Sequence, residues 1–204
     1  MGFDEGLAKL PLIAILRGLR PEEAIDVATA LFDAGFCILE VPLNSPSPLV
    51  SIERIAERFG ERLLVGAGTV LGTQEVAQIA EAGARLVVSP NFDAQVVRAA
   101  KAHGLVSIPG VATPSEAFAA LAAGADALKL FPAEMIAPKV VRSIRAVLPK
   151  STRLIPVGGI SPENIPAYRE AGADGFGIGS ALFKPGVSAS EVAAAAAKFV
   201  AAME

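Results

Sequence analysis

Glu170-Ala171-Gly172-Ala173-Asp174 runs directly into the apolar Gly175-Phe176-Gly177-Ile178. The same order recurs at Ala123-Gly124-Ala125-Asp126, which precedes Ala127-Leu128-Lys129-Leu130. Further back it recurs as Asp33-Ala34-Gly35-Phe36 before Cys37-Ile38-Leu39, as Glu81-Ala82-Gly83-Ala84-Arg85 before Leu86-Val87-Val88, and as Ala102-His103-Gly104 before Leu105-Val106-Ser107-Ile108. Gly60 plays the same part before Leu63-Leu64-Val65. In each copy the glycine sits where a helix must end, because a helix C-cap takes a left-handed conformation that glycine adopts without strain. The apolar run that follows reads as a short buried strand. A helix end feeding a strand, repeated about every 20 to 25 residues, marks a repeat architecture.

Helix openings fill the gaps between these units. Pro21-Glu22-Glu23-Ala24, Thr73-Gln74-Glu75-Val76, Thr113-Pro114-Ser115-Glu116 and Ser161-Pro162-Glu163-Asn164 each put proline, a hydroxyl or acids at a first turn. There they suit the positive end of the helix dipole. Alternating strands and helices predict a parallel sheet with right-handed crossovers. Eight strand cores can be counted: 12–16, 37–43, 63–67, 86–89, 106–109, 127–131, 154–157 and 175–178. Eight βα units predict one (β/α)₈ TIM barrel spanning residues 1–204 as a single domain. An open doubly wound sheet is the competing architecture, but no Gly-x-Gly-x-x-Gly follows the first strand. The alanine-rich 192–202 segment reads as a closing helix.

Composition narrows the chemistry. The 204 residues are 52% hydrophobic with a formal net charge of −3. That suits one sizeable core and gives no basic field for nucleic acid. No apolar run is long enough to span a membrane, and the first residues lack the basic and apolar regions of a signal peptide. Gly2 lacks the Ser or Thr that myristoylation needs. The lone Cys37 cannot form an internal disulfide, so a cytosolic protein is expected. With one histidine, one cysteine and no tryptophan, a His- or Cys-rich metal site cannot be assembled. His103 stands in a predicted helix end, where a C-terminal imidazole is favoured by the dipole.

In a TIM barrel the active site lies at the C-terminal ends of the strands, so side-chain alternation decides which groups reach it. On strand 6, Leu128 and Leu130 point to the helices, and Ala127, Lys129 and Phe131 to the axis. Lys129 is the one lysine inside a strand-like apolar run. An apolar site would lower its pKa and supply a neutral amine able to attack a ketone. The alternative is a strand-edge lysine paired with an acid. On strand 2 the same rule turns Ile38 and Glu40 inward, where Glu40 serves either as a proton shuttle or as a structural ion pair with Lys129. Arg17, at the end of strand 1, suits a substrate carboxylate or a salt bridge to Glu40. Thr69, after Gly66-Ala67-Gly68, offers a hydroxyl. Strands 7 and 8 end in Val157-Gly158-Gly159-Ile160-Ser161 and Gly177-Ile178-Gly179-Ser180, two consecutive glycine-rich loops that suit phosphate.

With these residues placed, the chain resembles the Schiff-base aldolases of phosphorylated keto acids, the 2-keto-3-deoxy-6-phosphogluconate and 2-dehydro-3-deoxy-6-phosphogalactonate enzymes. The likeness rests on Ile15-Leu16-Arg17-Gly18, Glu40-Val41-Pro42-Leu43-Asn44-Ser45-Pro46, Gly66-Ala67-Gly68-Thr69-Val70, Leu128-Lys129-Leu130-Phe131-Pro132 and Val157-Gly158-Gly159. It implies retro-aldol cleavage of a small phosphorylated keto acid to pyruvate and glyceraldehyde 3-phosphate. It implies a Schiff base on Lys129 and a proton shuttle on Glu40. Carboxylate binding falls to Arg17 and Thr69, and phosphate binding to Gly158, Gly159, Gly179 and Ser180. It further implies no metal or organic cofactor, and a homotrimer.

Two features lean to the galactonate branch. Pro42-Leu43-Asn44-Ser45 stands where the gluconate enzymes typically carry Thr-Leu-Arg-Thr, and Val157 stands where they carry Thr. The loss of that hydroxyl bears on which C4 epimer is held. Phe131-Pro132-Ala133-Glu134 looks instead like the gluconate form, and a gluconate-cleaving or dual-epimer enzyme is the alternative. Two other readings are a sugar-phosphate isomerase or epimerase with Glu40 as base, and a non-catalytic sugar-phosphate-binding barrel.

Overall fold

A computed structural model describes residues 1–203. The strands are β1 (Leu12–Ile15), β2 (Ile38–Pro42), β3 (Leu64–Gly68), β4 (Leu86–Val88), β5 (Val106–Ile108), β6 (Gly110–Val111), β7 (Ala127–Leu130), β8 (Arg153–Pro156) and β9 (Phe176–Ile178). Helices α1 (Phe3–Lys9), α2 (Ala24–Asp33), α3 (Pro48–Phe59), α4 (Thr73–Glu81), α5 (Ala94–Ala102), α6 (Pro114–Ala123), α7 (Pro138–Val147), α8 (Ile165–Glu170) and α9 (Ala189–Ala201) alternate with them. The glycines that mark the repeat, Gly35, Gly60, Gly83, Gly104, Gly124 and Gly172, all have positive φ, as helix-terminating residues require.

Every strand pairing is parallel. One curled sheet runs β5-β4-β3-β2-β1-β9, and a second ladder runs β6-β7-β8. Hydrogen bonds link the two at both margins. Asp126 N–H donates to Ser107 O at 3.0 Å and Lys129 N–H to Pro109 O at 2.9 Å, while Val157 bridges Gly177. The fifth predicted strand is thus interrupted at Pro109, which has no N–H to give a ladder. The chain resumes as β6 at Gly110, where a side chain would run into the Pro90–Asn91 backbone.

Side-chain alternation sorts the core into two clusters. Leu12, Ala14, Leu39, Val41, Leu128 and Leu130 pack outward with the helices. Ile13, Ile15, Ile38, Leu64, Leu86, Ile108, Ala127 and Ile155 fill the interior of the curled sheet. Phe3 and Leu7 of α1 join this inner cluster. That helix was not anticipated from the sequence, and it buries apolar surface at the end of the interior remote from the strand C-termini.

Two helices begin later than the opening signals suggest. α2 starts at Ala24, after a turn that carries Pro21–Glu23, and α8 starts at Ile165, after Ser161 N–H has donated to Asn164 Oδ1 at 3.0 Å. The Thr113 signal is followed closely: its Oγ1 accepts from Glu116 N–H at 3.3 Å while Glu116 Oε2 accepts from Thr113 N–H at 2.9 Å. His103 is exposed at the end of α5, with Nδ1 3.0 Å from Ala99 O. No helix among the described residues is long and apolar enough to cross a membrane.

Candidate active site

A cleft of about 450 Å³ opens where β1, β7, β8 and β9 end. Of the residues singled out from sequence, Arg17, Lys129, Val157, Gly158, Gly159, Gly179 and Ser180 line it. Lys129 is placed by the period-2 pleat of β7, whose neighbours Leu128 and Leu130 are fully buried on the other face. The lysine is itself only 5% exposed, and its Nζ lies 4.7 Å from the centroid of the Phe131 ring. Burial depresses the Lys129 pKa; Glu40 acts against that effect and Arg17 adds to it. The result favours the neutral amine that a nucleophile needs.

Glu40 points inward from β2 and is not among the residues lining the cleft. It is 2% exposed, and its Oε2 has no hydrogen-bond partner. Burial pushes its pKa up to about 7, against the opposing pull of Lys129 and Arg17. Among the described residues no Lys129–Glu40 salt bridge forms within 4.0 Å, so a contact ion pair is not what holds either group. Gly68 makes room for the carboxylate. A side chain there would overlap Glu40 Oε2 and Cδ outright and lie 2.8 Å from Oε1.

Arg17 does not pair with Glu40. Its Nη1 donates to Asn44 Oδ1 at 2.9 Å, leaving the exposed guanidinium at the cleft mouth. The neighbouring Gly18 N–H donates to Ser45 Oγ at 2.9 Å, so the loop after β2 fixes the loop after β1. Thr69 does not line the cleft. Alternation holds only within a strand, and β3 stops at Gly68; Thr69 then takes a positive φ of 56° and leaves the pleat.

Gly158 and Gly159 have φ of 107° and 63°. Any side chain at either would press on Glu134, 3.1 Å from its Cδ at Gly158 and 2.9 Å from its Cγ at Gly159. After β9, Leu182 and Phe183 N–H both donate to Gly179 O, a turn whose Gly179, Ser180 and Ala181 line the same cleft. Asn44, Glu134 and Lys184 line the cleft without having been assigned a part from sequence. Lys184 had a readable signal, since it follows the Gly179-Ser180 loop by four residues. Among the described residues it has no ionic partner.

Residues 3–198 match the family model for KDPG and KHG aldolase. The chain belongs to the KDPG and KHG aldolase family. It is 51% identical over 182 residues to a probable 2-dehydro-3-deoxy-6-phosphogalactonate aldolase of Rhizobium meliloti (strain 1021), covering 89% of this chain and 86% of that one. It is 46% identical to the 2-dehydro-3-deoxy-6-phosphogalactonate aldolase of Escherichia coli (strain K12), covering 94% of each. The solved structure described as native KDPGal superposes with a TM-score of 0.94 at 46% identity, over 96% of this chain and 95% of that one. The family's enzymes are class I aldolases, carbon–carbon lyases that work through a Schiff base.

Proposed function

We propose that this protein cleaves 2-dehydro-3-deoxy-6-phosphogalactonate to pyruvate and glyceraldehyde 3-phosphate through a Schiff base on Lys129. The observation that carries the reading is a lysine buried in the cleft wall with its ammonium disfavoured, beside a buried glutamate whose pKa stands at about 7. Neutral Lys129 Nζ attacks the C2 ketone, and the carbinolamine loses water to give the protonated imine. That imine draws the C3–C4 bonding pair into an enamine while the C4 hydroxyl gives up its proton, and the aldehyde departs. The enamine takes a proton at C3, and hydrolysis then releases pyruvate and free Lys129. A carboxylate with a pKa near 7 exchanges protons in both directions at neutral pH, which fits Glu40 as the shuttle.

The remaining roles follow the charges. Arg17, held by Asn44, receives the substrate carboxylate, with Thr69 contributing from the end of β3. The loops holding Gly158, Gly159, Gly179 and Ser180 receive the phosphate, with Lys184 at the same end of the cleft. Val157 offers no hydroxyl there, which supports the galactonate over the gluconate epimer.

The two ladders act as arcs of one (β/α)₈ barrel in a single domain, a reading supported by the hydrogen bonds at both of their margins. A homotrimer, usual in this family, would have exposed Leu71, Phe118 and Met135 available for its subunit contacts. Light scattering that returned the 20.9 kDa chain mass would contradict it. A cytosolic location accords with the chemistry of the substrate and with the lone, buried Cys37.

The test is pyruvate release, coupled to lactate dehydrogenase, from the two C4-epimeric substrates. The galactonate epimer should be turned over with kcat/KM at least about tenfold higher. Release from neither substrate would refute the aldolase reading, and a preference for the gluconate epimer would refute the branch.

A further inference from the structure

Glu134 is the one carboxylate among the residues lining the cleft. The substrate proposed above brings two anionic groups into that cleft, so an acid there lowers affinity unless it does something else. Its placement is fixed from both sides. Ala133 N–H donates to Val157 O at 2.8 Å, and Ala133 O accepts from the buried Tyr168 hydroxyl at 2.9 Å. A short 3₁₀ turn, Ala133–Met135, follows. This holds the Glu134 side chain across the Gly158–Gly159 backbone, where a methyl at Gly159 would lie 2.9 Å from its Cγ and 3.3 Å from its Oε1. The carboxylate itself has no hydrogen bond or ion pair to a described residue. Exposed at the cleft, that carboxylate is open to a donor on a bound molecule.

Its position along the substrate follows from the two ends. C2 must reach Lys129, and the phosphate must reach the loops after β8 and β9. Glu134 stands against the phosphate-side loop, which puts it toward C5, the carbon next to the phosphate-bearing C6, rather than toward the reacting carbons. That carbon bears a hydroxyl, a donor that a carboxylate binds well. We infer that Glu134 is a specificity-determining residue that accepts a hydrogen bond from the substrate hydroxyl adjacent to the phosphoester. This inference rests on the aldolase reading. A charged acceptor of this kind discriminates against an analogue lacking the hydroxyl, because a bound molecule displaces the water from the carboxylate and the analogue puts no donor in its place.

The experiment runs the reaction in the direction of synthesis. Pyruvate is condensed with glyceraldehyde 3-phosphate, or with 3-oxopropyl phosphate, which lacks only that hydroxyl. Wild type should favour the hydroxylated aldehyde by about 10- to 100-fold in kcat/KM. Glu134→Ala should reduce that preference to below about threefold, with Glu134→Gln, which keeps an acceptor oxygen, retaining most of it. Schiff-base trapping with pyruvate alone should be unchanged in both variants. A preference that survives in Glu134→Ala overturns the inference. So does a gain in kcat/KM with both aldehydes, which would make Glu134 only a charge that opposes phosphate. If wild type condensed neither aldehyde, the aldolase reading would fail separately. The same preference is then read from binding of glycerol 3-phosphate against 3-hydroxypropyl phosphate, and a preference missing in wild type or persisting in Glu134→Ala overturns the inference there too.

Discussion

Glu40→Gln separates the cost of holding a buried carboxyl from the use made of it. Folding raises the Glu40 pKa from 4.5 to about 7, chiefly by burial. Between those values the folded protein binds one proton more than the unfolded chain, so stability falls as pH rises. The stabilising proton is fully present below 4.5 and its benefit is lost above about 7. At about 1.4 kcal/mol per pH unit of displacement, the loss across that window is about 3 kcal/mol. The amide introduced by Glu40→Gln has no such proton. Removing the carboxylate also takes away the group that raises the Lys129 pKa, which makes the variant gain further as pH rises. Urea unfolding of wild type and Glu40→Gln at fixed ionic strength, from pH 5 to pH 8, should therefore show the variant gaining on wild type by about 2 to 3 kcal/mol. Comparing the two proteins cancels the titrations they share. A stability difference that stays constant within about 0.5 kcal/mol over that range would refute the assignment of a buried, proton-retaining Glu40. Turnover should move the opposite way, falling by about 10²- to 10⁴-fold as the shuttle is lost, and a loss below about threefold would leave Glu40 only structural.

Gly68→Ala should cut kcat by about 10²-fold with the fold intact by circular dichroism, because its methyl displaces the Glu40 carboxylate; Gly72→Ala, which meets nothing within 4 Å, is the control, and equal kcat values in the two would remove Glu40 placement from the mechanism. Lys184→Gln should raise KM for the phosphorylated substrate by about tenfold or more while kcat stays within about threefold. An unchanged KM would take Lys184 out of the phosphate site. Val157→Thr restores a hydroxyl to the cleft wall and should shift the epimer ratio toward the gluconate substrate by about tenfold. A ratio that does not move would place C4 recognition elsewhere.

What the sequence made legible was whatever depends on local period. Alternation along two short strands sent Ile38 and Ala127 to one face and Leu39, Val41, Leu128 and Leu130 to the other, as the two core clusters record, with Glu40 and Lys129 buried at the positions that alternate with the second set. The helix-ending glycines were readable because one backbone conformation nearly demands that residue. Where a strand ends, the rule ends with it. Thr69 follows Gly68, takes a positive φ and is not among the residues lining the cleft, a backbone turn that no period announces. Arg17 reached the mouth as expected, but its partner Asn44 comes from another loop, and the spacing of 27 residues leaves no local trace. Glu134 and Lys184 lie on turns after β7 and β9 and share a cleft only because those strands end at it. The plug formed by α1 was hidden for the opposite reason: its seven residues carry too little periodicity to announce a buried face.

Borohydride reduction in the presence of pyruvate converts a Schiff base into a stable secondary amine. One covalent adduct is expected, found by peptide mass on the fragment carrying Lys129 and missing in Lys129→Met. An adduct on another lysine, or steady-state cleavage retained by Lys129→Met, would contradict a Schiff base on Lys129.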